Sequence, residues 1–296
     1  MTVSARRPIR RWGDRPDGRR LRSLGPFYQI TPYIMPTRVD AQDYFEDRID
    51  VGPAEAWLRT QRDQGHTGLG LLHLVVAAFV RTVSQRPRLN RFVAGQRIYA
   101  RNEILVSFAL KKRLHEDSPE TVVKLGFDPT ATVHEVAAAI DAAVAANRAQ
   151  ETRNEVDRTA RLFMLCPGAL VRFLVWLLRV LDFHGLMPGA IRRASPFHTS
   201  AFVTDLGSLG IKPIYHHLYD FGTTSIFIAF GVKEQRRVLD AEGQVVLHRS
   251  IGLKVVTDER ICDGHYYASA FKYLMRLFRH PERLERPPER VVEDVD

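Results

Sequence analysis

The stretch Val255-Val-Thr-Asp-Glu-Arg-Ile-Cys-Asp-Gly-His-Tyr-Tyr267 decides the fold. It begins as a β-branched run that is typical of a buried strand, and it breaks at Asp263-Gly264. The next residues carry apolar side chains at helical spacing, namely Tyr267, Ala270, Phe271, Leu274 and Phe278. The stretch therefore predicts a strand that turns sharply into a helix, which presents side chains at the strand's end to a cleft.

Cys262-Asp263-Gly264 resembles the second half of the HxxxDG signature of CoA-dependent acyltransferases, the superfamily of chloramphenicol acetyltransferase and the dihydrolipoamide acyltransferases. The first half departs from the signature, because Glu259 stands where the family has its catalytic histidine. Asn90 with its neighbours, residues 196–211 and residues 212–214 are also similar to the acyltransferases of dehydrogenase complexes, in the same order along the chain. The resemblance covers roughly residues 28–280.

This resemblance implies an α/β fold for a single domain over residues 25–296. The fold is a two-layer sandwich of the chloramphenicol acetyltransferase type, a mixed sheet with helices on one face. Relatives build their active site between neighbouring subunits, so a homotrimer is the expected assembly. The sequence shows no lipoyl-bearing Asp-Lys-Ala hairpin and no subunit-binding module, so we expect a catalytic domain alone rather than the core of a dehydrogenase complex.

The resemblance also assigns roles to residues. The motif aspartate of the family pairs with an arginine near the N-terminus, which makes Arg38 the expected partner of Asp263. The family's oxyanion donor is a serine or threonine hydroxyl on the strand before an Asp/Asn-Leu turn. Ser200 takes that position here, and Thr199 is the alternative. The implied co-substrate is a coenzyme A thioester, and no metal is expected.

The base that takes the acceptor's proton is left open by the sequence. Glu259 would need a desolvated site that raises its pKa. His198 points to the same face as Ser200 if the strand alternates, and His216 and His217 lie in the loop that flanks the acyl channel in relatives. For each histidine, an ordinary polar role in the core or on the surface is the competing interpretation.

The net charge of +9 is concentrated in the first 25 residues, which hold eight arginines against two aspartates. We therefore expect residues 1–24 to form a flexible basic arm, with few apolar side chains to bury. A weak contact of this arm with a membrane or another anionic surface is the alternative, and no nucleic acid is expected. No signal peptide is recognisable, which favours the cytoplasm.

Residues 162–191 form the most apolar segment, and Arg172 and Arg179 are the only charges in its central helix. Its uncharged run is too short for the roughly 20 residues of a bilayer span. Three interpretations remain: a helix buried between the sheet and a subunit interface, a wall of an apolar substrate tunnel, and an interfacial membrane contact. Cys166 and Cys262 lie in apolar surroundings and offer neither a disulfide framework nor metal spacing.

Two functions follow from these observations. The first is a CoA-dependent acyltransferase that acts on a small or lipophilic acceptor with an atypical base. The second is a binding or scaffold protein that keeps the fold and has lost catalysis.

Overall fold

The computed structural model describes residues 11–111, 120–149, 167–239 and 242–296. Its helices are α1 (Pro26–Ile34), α2 (Gly52–Asp63), α3 (Leu71–Gln85), α4 (Val133–Ala149), α5 (Gly168–Phe183), α6 (Gly189–Ala194) and α7 (Gly264–Arg279). Its strands are β1 (Gly18–Arg20), β2 (Gln42–Asp50), β3 (Arg91–Ala94), β4 (Arg97–Arg101), β5 (Ile104–Lys111), β6 (Glu120–Phe127), β7 (Ala201–Asp205), β8 (Ile226–Leu239) and β9 (Val245–Asp258).

Six strands form the main sheet in the order β2-β9-β8-β7-β5-β6. Strand β7 runs parallel to β5 and β8, and the other neighbours are antiparallel, so the sheet is mixed as predicted. A second sheet has the order β1-β4-β3, and its β3–β4 hairpin turns at Gly95. Residues Val245–Asp258 form one continuous strand, β9.

Helices α2, α3, α4 and α7 cover one face of the main sheet. Helix α3 is buried over most of its length and packs on α4 and α7, because its sequence is apolar on nearly every side. The inward side chains of the strands complete this core, among them Val106, Val203, Ile228 and Val255. The predicted two-layer sandwich with helices on one face is confirmed.

A loop over residues 211–222 lies on the opposite face of the sheet. Phe202, Phe227 and Val256 point to that side and pack with Leu218 of the loop. The loop approaches the strands closely, since a Cβ on Gly231 would lie 2.3 Å from Cδ of Pro213. Glycine at this position therefore lets the loop rest on β8.

The prediction of a flexible arm is wrong for residues 11–24, while residues 1–10 lie outside the described residues. Strand β1 pairs with β4, and Leu21 belongs to the core. Arg15 is buried, with its guanidinium 2.6 Å from Asp182 and 3.0 Å from Asp17. The segment is poor in apolar residues, but ion pairs and strand pairing hold it to the body.

Within a single chain helix α5 is not buried against the sheet, and its burial between the sheet and a subunit interface stays a prediction. Asp182 is its only buried residue. Trp176 is 56% exposed and Phe173 is 52% exposed. Among the described residues, no helix is both long enough and apolar enough to cross a membrane.

Candidate functional site

The predicted strand, turn and helix of the motif are present. Strand β9 ends at Asp258, and α7 begins at Gly264. The carboxylate of Asp263 accepts hydrogen bonds from the Tyr28 hydroxyl at 2.7 Å and from the Tyr266 amide at 2.9 Å. The bond from Tyr28, and then that from Tyr266, lower the pKa of Asp263. Asp263 thus caps the helix and fixes where it begins.

The predicted pairing of Arg38 with Asp263 is wrong. Arg38 is buried, and its guanidinium donates to the carbonyls of Val93 at 2.8 Å and Asp220 at 3.3 Å. Its ion-pair contact is with Asp258, at 3.9 Å between Nε and Oδ2. The register of the sheet explains this, because the start of β2 lies opposite Asp258. Burial lowers the pKa of Arg38 to about 10, and the charge of Asp258 opposes that change.

Asp258 and Arg260 form a buried pair on either side of Glu259. Arg260 donates through Nε at 2.8 Å and through Nη2 at 2.7 Å to the two carboxylate oxygens of Asp258. Its Nη1 donates to the carbonyl of Met35 at 2.8 Å. Such two-point pairs are directional and strong. The pair therefore fixes the turn in which Glu259 sits, and sequence reasoning assigned it no role.

Glu259 itself is exposed, although both of its neighbours are buried. Its amide donates to the carbonyl of Ala41 at 2.8 Å, which places it beside the start of β2. Burial, and then the negative charge of Glu259, raise the pKa of Asp43. The structure thus presents a pair of neighbouring carboxylates, Glu259 and Asp43, where the resemblance implied a single catalytic histidine.

The hydroxyls predicted as oxyanion donors contact the backbone of β5. Ser200 is buried, and its Oγ accepts a hydrogen bond from the Leu105 amide at 2.9 Å. Thr199 is also buried and donates to the Leu105 carbonyl at 2.7 Å. Thr204 lies further along the strand, is half-buried, and by alternation shares a face with Phe202. Sequence reasoning missed Thr204, which the same alternation rule would have identified.

His198 lies in a buried chain of polar groups. Its Nδ1 is 2.8 Å from Oγ of Ser195, and its Nε2 is 3.3 Å from Oδ2 of Asp182. The ring is 1% exposed, so it cannot reach an external acceptor. Within the described residues, no hydrogen bond joins His198 to Ser200.

The other candidate histidines lie on the loop side of the sheet and do not converge on Glu259. His216 stacks on Phe227 with ring centroids 4.4 Å apart. Burial, and then the charge of His217, lower the pKa of His216, which favours a neutral ring. Its Nε2 is buried and has no hydrogen-bond partner among the described residues. His217 is exposed and makes an edge contact with Tyr219.

A cavity of about 260 Å³ opens beside the motif turn. Its lining residues include Arg38, Arg179, Asp182, Phe183, Asp220 and Arg260. The wall therefore carries charges of both signs, and one side of it is the end of α5. Arg38 is the only predicted site residue in this wall.

The electrostatics of the cavity depend on Asp182, at the end of α5. Burial alone would raise the pKa of Asp182, but the bond with His198 and the charge of Arg15 lower it to about 2. The folded-state pKa is thus below the usual value of 3.8. The carboxylate accordingly stabilises the fold above about pH 4, and this contribution is lost as the pH falls toward 2.

We expect Asp182→Asn to lower the free energy of unfolding by about 2 kcal/mol more at pH 7 than near pH 2. Urea unfolding of parent and variant at several pH values measures this difference. Asp47→Asn, which changes an exposed carboxylate, is the matched control. A constant difference for Asp182→Asn would contradict the lowered pKa.

The chemistry of this region excludes some roles. Burial raises the pKa of the Cys262 thiol to about 12, so it cannot serve as a thiolate nucleophile at neutral pH. Cys166 lies outside the described residues. Across the described parts of the chain, no three His, Cys, Asp or Glu side chains are grouped as metal ligands would be.

Comparisons with known proteins bear on the fold. Neither a family model nor a curated protein matches the chain. Among solved structures, it is similar to a probable dihydrolipoamide acetyltransferase from Listeria monocytogenes, with 12% identity and a TM-score of 0.57. That match covers 89% of this chain and 95% of the other.

Two further structures extend the likeness. The cubic core of the pyruvate dehydrogenase multienzyme complex matches with 13% identity and a TM-score of 0.57, over 86% of this chain and 87% of the other. The truncated catalytic core of the 2-oxoacid dehydrogenase complex from Thermoplasma acidophilum matches with 15% identity and a TM-score of 0.53, over 88% and 98%. The chain therefore has the fold of the catalytic domains of dihydrolipoamide acyltransferases.

Proposed function

We propose that this protein transfers an acyl group from a coenzyme A thioester to a small or lipophilic acceptor. The supporting observation is the position of Glu259, which is exposed between the buried side chains of Asp258 and Arg260. The turn that carries it corresponds to the catalytic turn of the acyltransferase signature. A cavity with Arg38 and Arg260 in its wall lies next to this turn.

In this proposal Glu259 accepts the proton of the acceptor. The acceptor's nucleophilic atom forms the new bond to the acyl carbon, and the bond from that carbon to the thioester sulfur breaks. The leaving thiolate takes the proton back from Glu259 and departs as coenzyme A. Burial, and then the negative charge of Glu259, raise the pKa of the neighbouring Asp43. Thr204 is the half-buried hydroxyl on β7 that we assign as an oxyanion donor in place of Ser200. The register places it level with Lys254, far from Glu259 of its own chain, so in this proposal it serves the site of a neighbouring subunit.

We also propose that the protein is a homotrimer, because the candidate site of a single chain is exposed to solvent. Glu259 is uncovered in one chain, and the far end of the β8–β9 hairpin exposes apolar side chains such as Leu239 and Leu247. A neighbouring subunit would cover both kinds of surface.

The second candidate is a binding subunit that does not catalyse transfer. The observation in its favour is the dispersal of the polar groups: Ser200 contacts the β5 backbone, and His198 contacts Asp182. Without a base and an oxyanion donor on one acceptor, the fold could hold a ligand but not react with it.

Calorimetry with coenzyme A and acetyl-CoA tests the shared premise of both candidates. We expect both ligands to bind, and we expect acetyl-CoA to be consumed when an acceptor is present. Binding without consumption would favour the binding subunit. If neither coenzyme A nor acetyl-CoA gives a heat of binding, a role for coenzyme A thioesters is refuted.

A further inference from the structure

Helix α5 presents a large apolar surface to solvent. Phe173 and Trp176 are each more than half exposed and lie with ring centroids 5.8 Å apart. Leu170 and Phe183 extend the surface along the helix, and Leu186 continues it beyond the helix end. A continuous exposed patch of several large apolar side chains marks a surface that another molecule covers.

The exposed charges of residues 168–194 are of one sign. Between Gly168 and Ala194 the single acidic residue is Asp182, and it is buried against Arg15 and His198. The basic side chains on the outside of this segment are Arg172, Arg179 and Arg193. The exposed surface of residues 168–194 is therefore apolar and positive, and the exposed carboxylate of Asp220 lies in the cavity wall beyond the end of α5.

The spacing places both features on one stripe. Arg172 and Arg179 are seven residues apart, about two helical turns, so they lie on the same side of α5. Trp176 falls between them at the i+4 position. Aromatic side chains flanked by arginines fit the boundary between lipid headgroups and acyl chains.

The length of α5 fixes how it would meet a bilayer. Its 16 residues extend about 24 Å, which is less than the roughly 30 Å of the hydrocarbon core. A helix of this length and pattern lies along the interface rather than across it.

We propose that α5 docks the protein onto the surface of an anionic phospholipid bilayer. Phe173 and Trp176 enter the headgroup–acyl boundary, and Arg172 and Arg179 contact lipid phosphates. This inference does not depend on acyl transfer, but it has a consequence for the cavity. Arg179 also lines the cavity wall, so docking places the mouth of the cavity at the lipid surface.

Co-sedimentation with vesicles tests the proposal. The full chain should bind vesicles of phosphatidylcholine that contain phosphatidylglycerol, and should bind pure phosphatidylcholine vesicles weakly. Binding should weaken with salt, because exposed charges are screened. Arg172→Gln with Arg179→Gln should reduce partitioning by on the order of 10-fold, and Phe173→Ala with Trp176→Ala should reduce it at least as much.

Matched variants separate this surface from others. Leu209→Ala with Ile211→Ala removes exposed apolar groups elsewhere, and Arg59→Gln with Arg279→Gln removes exposed positive charge elsewhere. Both pairs should bind vesicles as the parent does. Brominated acyl chains should quench the fluorescence of the bound parent, and Trp176→Phe should bind while losing most of that quenching.

Three results would overturn the proposal. The first is that the parent fails to bind anionic vesicles. The second is that Arg6→Gln, Arg7→Gln and Arg10→Gln together abolish binding while the Phe173 and Trp176 variant retains it, which would assign the contact to the first ten residues. The third is that the parent does not bind lipid and that light scattering gives the variant with Phe173→Ala and Trp176→Ala a lower mass than the parent. That result would show that a second copy of the chain covers this surface.

Discussion

Glu259→Gln is expected to lower the rate of acyl transfer from acetyl-CoA by about 10²–10⁴-fold, because the amide keeps the shape of the side chain and cannot accept a proton. The fold should be unaffected, since Glu259 is exposed and its amide bond to Ala41 comes from the backbone. The matched control is Glu289→Gln, which changes an exposed carboxylate in the C-terminal segment. Steady-state assays with a panel of acceptors measure the effect.

Glu259→His separates the two candidate functions, because it restores the residue that the acyltransferase signature has at this position. If the parent transfers acyl groups through the carboxylate, the histidine variant should lose most of its activity. An inactive parent whose histidine variant hydrolyses or transfers acetyl-CoA would instead be an acyltransferase that has lost its base. Equal rates for parent, Gln and His variants would remove Glu259 from the mechanism.

Asp258→Asn is expected to lower the free energy of unfolding by about 3–5 kcal/mol, because it leaves the buried guanidinium of Arg260 without its carboxylate. The neighbouring Arg38 would lose the same partner. Asp263→Asn is the matched control in the same motif. It should cost well under 1 kcal/mol, because asparagine caps a helix about as well as aspartate does.

A double-mutant cycle in urea decides which aspartate Arg38 pairs with. Arg38→Met should be coupled to Asp258→Asn, because a change at either side of the 3.9 Å contact removes the same interaction. It should be additive with Asp263→Asn, whose carboxylate contacts Tyr28 and the helix start. Coupling of Arg38 to Asp263 alone would restore the pairing that the sequence implied.

The sequence predicted the main sheet and the motif helix well, because their signals are local. The β-branched run before Asp263-Gly264 and the helical spacing after it specify β9 and α7 directly. Helix α1 is not evident from the sequence, because Pro32 favours short strands and turns over a long helix. The proline lies in the last turn of a nine-residue helix, where it removes little of the hydrogen bonding.

The site was harder to predict, because it is built from contacts that are distant in sequence. Arg38 meets Asp258 only through the register of β2 on β9. Arg15 meets Asp182 across 167 residues, and neither residue carries a local signal of pairing. The composition of residues 11–24 suggested a flexible segment, because few of its side chains are apolar. Composition does not show which charged side chains form buried ion pairs. The apolar pattern of α5 indicated that another surface covers the helix, but it did not indicate whether that surface is the sheet, a subunit or a membrane.

The buried pairs of this chain also bear on which substitutions it tolerates. Arg260 reaches both oxygens of Asp258, and Arg91 reaches both oxygens of Asp294 at 2.6 Å, through Nε and a second nitrogen in each case. A lysine has one ammonium on a flexible stem and cannot form this planar two-point contact. Only seven of the 43 basic residues are lysine, and the excess of arginine resembles a bias of codon usage. At Arg91 and Arg260 arginine has a physical basis, which is the two-point contact. Exchange of arginine for lysine should therefore be tolerated on the surface and should destabilise the fold at these two buried positions.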